Sequence, residues 1–116
     1  MSVKIYHNPR CSKSRETLAL LEEKGTPTEV IEYLKTPPDE TTLKTIIESL
    51  GIKAMQLVRS HEDEFKQAGL DNEGVTEDEI IKAMVKYPKL IERPIVVNGN
   101  KVVIGRPPKN ILTIID

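Results

Sequence analysis

The chain opens on a short alternation of apolar and polar residues, Val3-Lys4-Ile5-Tyr6. That period of two predicts a strand, and the turn formers in His7-Asn8-Pro9-Arg10 end it. From Ser12 to Lys24 no Pro or Gly intervenes, Leu18 and Leu21 share a face with Ser14, and Gly25 stands where a helix would stop. A second strand-like run, Thr28-Glu29-Val30-Ile31-Glu32-Tyr33, is closed off by Pro37-Pro38. Strand, helix and strand with short connections predict a parallel crossover.

The pattern then changes to a helical period. Leu43, Ile46, Ile47 and Leu50 fall at i, i+3, i+4 and i+7, with Gly51 after them. Residues 52–70 scatter Met55, Leu57, Val58 and Phe65 through a charged background and predict one or two short helices ending near Gly69. Thr76-Glu77-Asp78-Glu79 is a capping box ahead of Ile80, Ile81 and Met84, so a helix should run to about Tyr87, before Pro88. Ile95-Val96-Val97 and Val102-Val103-Ile104, separated by Asn98-Gly99-Asn100, predict a β-hairpin, because Asn-Gly readily supplies positive φ. Ile111, Leu112 and Ile115 then suit a final short helix. The predicted fold class is α/β: a mixed sheet of order βαβ…ββα, with a helical insertion between the second strand and the hairpin. One domain over residues 1–116 is expected, its core drawn from residues 1–35 and 90–116 and its insertion from about 36–89.

Composition narrows the functional classes. With 116 residues, 38% hydrophobic and 30% charged, the chain has the makings of one folded core and is neither low-complexity nor disordered. No apolar run approaches the roughly 18 residues of a membrane span, and the first residues lack a secretory pattern, so a cytoplasmic protein without a membrane role is expected. The single cysteine, Cys11, rules out an internal disulfide, and one Cys with two His leaves no metal site to predict. Net charge is only −1, yet Lys4, Arg10, Lys13 and Arg15 crowd the first 15 residues without an acid, and Arg93, Lys101, Arg106 and Lys109 gather near the end. If folding joins the two ends, the local field is positive in a weakly acidic protein. That field suits a small anion better than nucleic acid, since there is no long basic stripe and aromatics are 3%.

Cys11 is the candidate nucleophile. It lies where the loop after the first strand becomes a helix, so first-turn amides can face its sulfur, with Arg10, Lys13, Arg15 and His7 close in sequence. The alternative is an inert buried thiol. Ser14 stands where a Cys-x-x-Cys pair would have its second cysteine, one turn from Cys11, and can hydrogen-bond the sulfur or simply satisfy a first-turn amide. With no resolving cysteine, a substituted Cys11 must be released by an outside thiol. Arg93 and Arg106 each precede a proline, which stiffens the backbone that presents them, and converging guanidinium groups suit a multiply charged tetrahedral anion. His7 shapes the loop or, when protonated, helps to hold the thiolate.

Three separated motifs carry a family resemblance: His7-Asn8-Pro9-Arg10-Cys11-Ser12-Lys13-Ser14-Arg15, Glu92-Arg93-Pro94-Ile95-Val96-Val97, and Ile104-Gly105-Arg106-Pro107-Pro108. Together they resemble the glutaredoxin-dependent arsenate reductase family over nearly the whole chain. The resemblance implies a thioredoxin-like fold with cis geometry at Pro94, and a catalytic Cys11 that attacks arsenate. It further implies that Arg59, Arg93 and Arg106 hold the oxyanion while His7, Asn8 and Ser14 support the thiolate. Glutathione is implied as co-substrate with no bound cofactor, and glutaredoxin as the partner that removes glutathione so that arsenite leaves. Resistance-type members have Gly-Thr where this chain has Ser12-Lys13 and run on past the position of Asp116, so the short chromosomal branch is the better match. Two alternatives accompany this reading: a general glutathione-dependent thiol reductase, and a non-catalytic relative of the Spx-type regulators that bind RNA polymerase. Ser14 argues against the Cys-x-x-Cys switch that those regulators often carry.

Overall fold

The computed structural model describes residues 3–115. Its contacts divide the chain into two compact units, one built from residues 1–36 and 93–116, the other from 37–92.

The first unit is the sheet. Strand β1 (Val3–His7), helix α1 (Ser12–Glu23), strand β2 (Thr28–Glu32) and the hairpin β3 (Ile95–Asn98) and β4 (Lys101–Ile104) follow one another, and a 3₁₀ segment covers Pro108–Thr113. The strands lie in the order β2-β1-β3-β4, with β1 parallel to β2 and antiparallel to β3, and β3 antiparallel to β4. This is the mixed thioredoxin-like sheet that the element order predicts. β1 runs one residue further than its alternation suggests, because His7 still pairs in register with Glu32. The hairpin turn is Gly99-Asn100, since Asn98 already pairs with Lys101. Gly99 takes φ +63 and no non-glycine among the described residues has positive φ, which is the II′ arrangement rather than one built on Asn-Gly. The closing segment is 3₁₀ rather than α: the amides of Asn110 and Ile114 donate three residues back, to the carbonyls of Pro107 and Ile111.

One face of the sheet presents Val3, Ile5 and Val96 to Leu21 of α1 and to Ile111 and Ile114, with Leu18, Leu20, Val103 and Ile115 packed around them. Ile5 and Val96 are directly opposed across the β1–β3 ladder, so the cluster bridges the two inner strands. The buried positions of α1 are Ser14, Thr17 and Leu21, at i, i+3 and i+7. Two of the three are hydroxyl residues, which a search for apolar periodicity passes over.

The second unit is helical: α2 (Glu40–Leu50), a 3₁₀ turn (Ala54–Leu57), α3 (Asp63–Gln67), α4 (Glu77–Lys86) and a 3₁₀ turn (Pro88–Leu90). Asp39 caps α2 by accepting the Thr42 amide at 2.8 Å, and Gly51 ends it at φ +68. Thr76 and Glu79 close the capping box of α4 as its sequence predicts. α2 packs on α4, and a bridge between Val58 and Ile91 brings the chain back beside its own path before the hairpin. None of the helices among the described residues is long and apolar enough to cross a membrane.

Leu21 is the anchor of α1 on the sheet, fully buried in the six-residue cluster. Leu21→Ala should therefore lower stability by about 2–5 kcal/mol in chemical denaturation, without a change of fold by circular dichroism.

Candidate active site

The loop that leads from β1 into α1 is shaped by Asn8. Its side-chain oxygen accepts the Arg10 amide at 3.0 Å, and its carbonyl accepts the Cys11 amide at 3.0 Å, so the chain turns sharply at Pro9-Arg10. Arg15 reaches back to the Pro9 carbonyl at 3.0 Å and fastens the same turn from the helix. Cys11 is the N-cap residue, in extended geometry, and its carbonyl receives the Arg15 amide as the first helical bond. Its sulfur makes no conventional capping hydrogen bond, yet the amides of Ser14 and Lys13 lie close enough to stabilise negative charge there.

Cys11 is only 8% exposed, and burial alone would push its thiol up. The Ser14 amide, the hydrogen bond and charge of Arg93, and the Lys13 amide together outweigh burial, so the thiol is held below its ordinary value near 9.0. The exposed cations nearest in sequence are not the groups that activate it. Burial would also lower the ionisation point of Arg93, but its contacts with Cys11 and with Tyr33 hold the guanidinium more firmly charged than usual. Tyr33, just beyond β2 and almost fully buried, is thus a member of the site. The sequence marks Tyr33 only as the end of a strand.

Arg106 comes from the other arginine–proline step. Its Nη2 points at Cys11 Sγ across 3.4 Å, while its Nε donates to the Arg93 carbonyl at 2.7 Å. Each arginine is therefore fixed in part by the other. Both Arg93-Pro94 and Arg106-Pro107 are cis; the resemblance speaks only of the first. The two steps are laced together, since the Gly105 amide donates to the Pro94 carbonyl at 2.9 Å. Beneath them sits Thr17, fully buried, whose hydroxyl lies 2.7 Å from the Lys13 carbonyl and 3.3 Å from that of Gly105. A Cβ at position 105 would come within 2.6 Å of Thr17 Oγ1 and 2.8 Å of Pro94 Cγ. Helix, hairpin tail and Pro94 meet there with no room for a side chain, which makes Gly105 and Thr17 structural determinants of the site.

Ser14 and His7 form a buried pair behind the sulfur. Ser14 Oγ accepts the Asn8 amide at 3.0 Å and stands 2.6 Å from His7 Nδ1. Burial lowers the His7 ionisation point, with Glu32 opposing and Arg15 assisting, so the ring favours the neutral form. A neutral ring with the proton on Nε2 accepts the Ser14 hydroxyl at Nδ1. The Ser14 side chain is therefore turned towards His7 rather than the sulfur, and what Ser14 gives the thiolate is its backbone amide. His7 is thereby placed to orient Ser14.

The structure thus brings Cys11, Arg93 and Arg106 together, with Asn8, Ser14 and His7 behind them. Arg59 belongs to the helical unit. Its guanidinium, 11% exposed, is held there by Glu62 at 3.3 Å and Glu92 at 3.5 Å and touches His61 at 2.9 Å. Among the described residues no group of three or more His, Cys, Asp or Glu side chains is arranged to hold a metal ion.

Titration of the Cys11 thiol by its absorbance near 240 nm should give a value below the ordinary one near 9.0, and Arg93→Ala should raise it. Because His7 ionises below its ordinary 6.5, the stability that it contributes is complete above about pH 6.5 and declines as pH falls from there towards its lowered value. His7→Gln should remove that part of the slope in denaturation curves taken across this range. Gly105→Ala should lower stability by about 1–3 kcal/mol through overpacking and loosen Arg106 from the sulfur, seen as slower alkylation of Cys11.

Comparison with known proteins gives the family. The sequence profile of the ArsC family matches residues 6–114. The chain is 53% identical to an uncharacterised Escherichia coli protein, YfgD, over 97% of its own length and 96% of that protein. It is 48% identical to a Neisseria meningitidis protein named arsenate reductase, over 94% of each chain. The solved structure of an arsenate reductase from Vibrio cholerae superposes with a TM-score of 0.94 at 46% identity, covering 99% of this chain and 98% of that one. On its sheet, its three motifs and these matches, the chain belongs to the ArsC family.

Proposed function

We propose that the protein is an arsenate reductase that works through a covalent adduct on Cys11. The observation that carries this reading is the sulfur itself: ionised more easily than an ordinary thiol, beside Arg93, and 3.4 Å from Arg106 Nη2. The relatives named arsenate reductase, matched at 47–48% identity, support it. A thiolate and an arsenate anion repel one another, and guanidinium groups lower that barrier by neutralising charge where the new bond forms. Arg59 has the same oxyanion-binding assignment through the family resemblance alone.

In the proposed sequence the Cys11 thiolate displaces one oxygen of arsenate, which leaves as water after taking up protons, and an S–As(V) bond remains. A glutathione thiol displaces a second oxygen as water and gives an arsenic bridged between two sulfurs. The thiolate of glutaredoxin then attacks the glutathione sulfur. The electron pair of the broken S–As bond stays on arsenic, which becomes As(III), and the glutathione leaves as a mixed disulfide with glutaredoxin. Hydrolysis of the remaining S–As(III) bond frees arsenite and restores the thiol. An outside thiol is required because the chain has one cysteine and cannot resolve the adduct itself. The scheme needs no bound cofactor. It places the protein in a reducing compartment such as the cytoplasm.

The test is a coupled assay with arsenate, glutathione and glutaredoxin, reading arsenite directly. Cys11→Ser should reduce arsenite production to the uncatalysed level, and Arg106→Ala should lower kcat/KM for arsenate by roughly 10²-fold while the circular dichroism spectrum is unchanged. Unaltered turnover in Cys11→Ser would remove the mechanism. Turnover of other disulfide or oxyanion substrates at equal efficiency would point instead to a general glutathione-linked reductase.

A further inference from the structure

We infer that Asn110 is a positioning residue for the site, holding Arg106 against the sulfur by clamping the turn from which that arginine projects. The inference rests on the reading of Cys11 as the reacting group. Asn110 lies in the 3₁₀ segment Pro108–Thr113, whose sequence otherwise draws attention only to its apolar residues. Its side-chain nitrogen donates to two carbonyls at once, Ile104 at 3.2 Å and Arg106 at 3.0 Å. A primary amide has two protons on one nitrogen, and here both are used across a single turn. One carbonyl closes β4 and the other belongs to Arg106 itself, so the amide spans the residues between strand and proline step.

The geometry of Arg106 depends on that span. Its own amide donates to the Ile104 carbonyl at 2.9 Å, so Ile104 receives both the Arg106 amide and the Asn110 side chain. The Asn110 amide in turn donates to the Pro107 carbonyl at 3.0 Å, and this fixes where its side chain starts. A four-residue loop is thereby tied at three carbonyls, Ile104, Arg106 and Pro107, all to Asn110. Arg106 stretches from this loop to the Arg93 carbonyl through Nε and to Cys11 Sγ through Nη2. A long flexible side chain holds one position at the sulfur only if its backbone is fixed, because guanidinium rotamers otherwise disperse. Leucine at 110 would fill nearly the same volume without either proton, leaving the Arg106 carbonyl without this donor.

The test uses the single cysteine and does not require the protein to reduce arsenate. Cys11 is alkylated with iodoacetate, which is anionic, and with iodoacetamide, which is neutral; the ratio of the two rate constants reports positive charge at the sulfur. Arg106→Ala should lower that ratio. Asn110→Leu should lower it by roughly three- to tenfold, the range of coupling between groups that share one network, with the fold intact. In the Arg106→Ala background, Asn110→Leu should lower it no further, an outcome that general destabilisation would not produce. An unchanged ratio in Asn110→Leu, or an equal drop in both backgrounds, would overturn the inference. Asn110→Ala, which truncates without adding apolar bulk, runs the same cycle with the same two outcomes if Asn110→Leu does not fold. The failure of arsenate turnover in the unmodified protein, with the ratio behaving as described, would sink the proposed reaction and leave the role of Asn110 standing.

Discussion

A sulfur anion inside a folded protein needs partners that are already charged or already aligned, because water has been largely removed from around it. Cys11 has both kinds, and they come from different sources. The amides of Lys13 and Ser14 are aligned by helix α1, a local structure that fixes them wherever the cysteine goes. The guanidinium groups of Arg93 and Arg106 are supplied by tertiary structure, from a hairpin that the chain reaches only after the whole helical unit. The sheet order β2-β1-β3-β4 is what reconciles the two, since it lays β3 against β1 and so brings the head of the hairpin to the loop that β1 feeds.

Substantial parts of this were legible in the sequence, for identifiable reasons. The strand–helix–strand unit and the hairpin announced themselves through strong periodicity and unambiguous breakers, and the N-cap place of Cys11 follows from the turn Pro9-Arg10 directly before a helical run. The motif pair Arg93-Pro94 and Arg106-Pro107 pointed at the cations that reach the sulfur. What escaped was relational. Thr17 and Gly105 matter because a helix and a hairpin tail touch there, and no pattern within either segment records that contact. Tyr33 escaped for the same reason.

Local charge is a poor guide to local chemistry. Arg10, Lys13 and Arg15 stand close to Cys11 in number, but the Arg15 side chain bonds the Pro9 carbonyl and that of Lys13 pairs with Glu16 at 3.5 Å. Among the cations it is the distant Arg93 that lowers the thiol, after the Ser14 amide. Of the two parts open to His7, shaping the loop or holding the thiolate as a cation, burial favours the first, because it lowers the ring's ionisation point beside Ser14. In both cases desolvation and hydrogen-bond geometry decide the outcome, and neither quantity is visible until the strands are paired.

The division of the sheet unit between the two ends of the chain has a temporal side. A ribosome releases residues 1–36 before residues 93–116, with the helical unit between them. Cys11 therefore emerges well before the guanidinium groups that come to flank its sulfur. The lowering of its thiol by Arg93 waits until the hairpin docks beside β1, so a nascent copy without the hairpin carries the residue without its temperament.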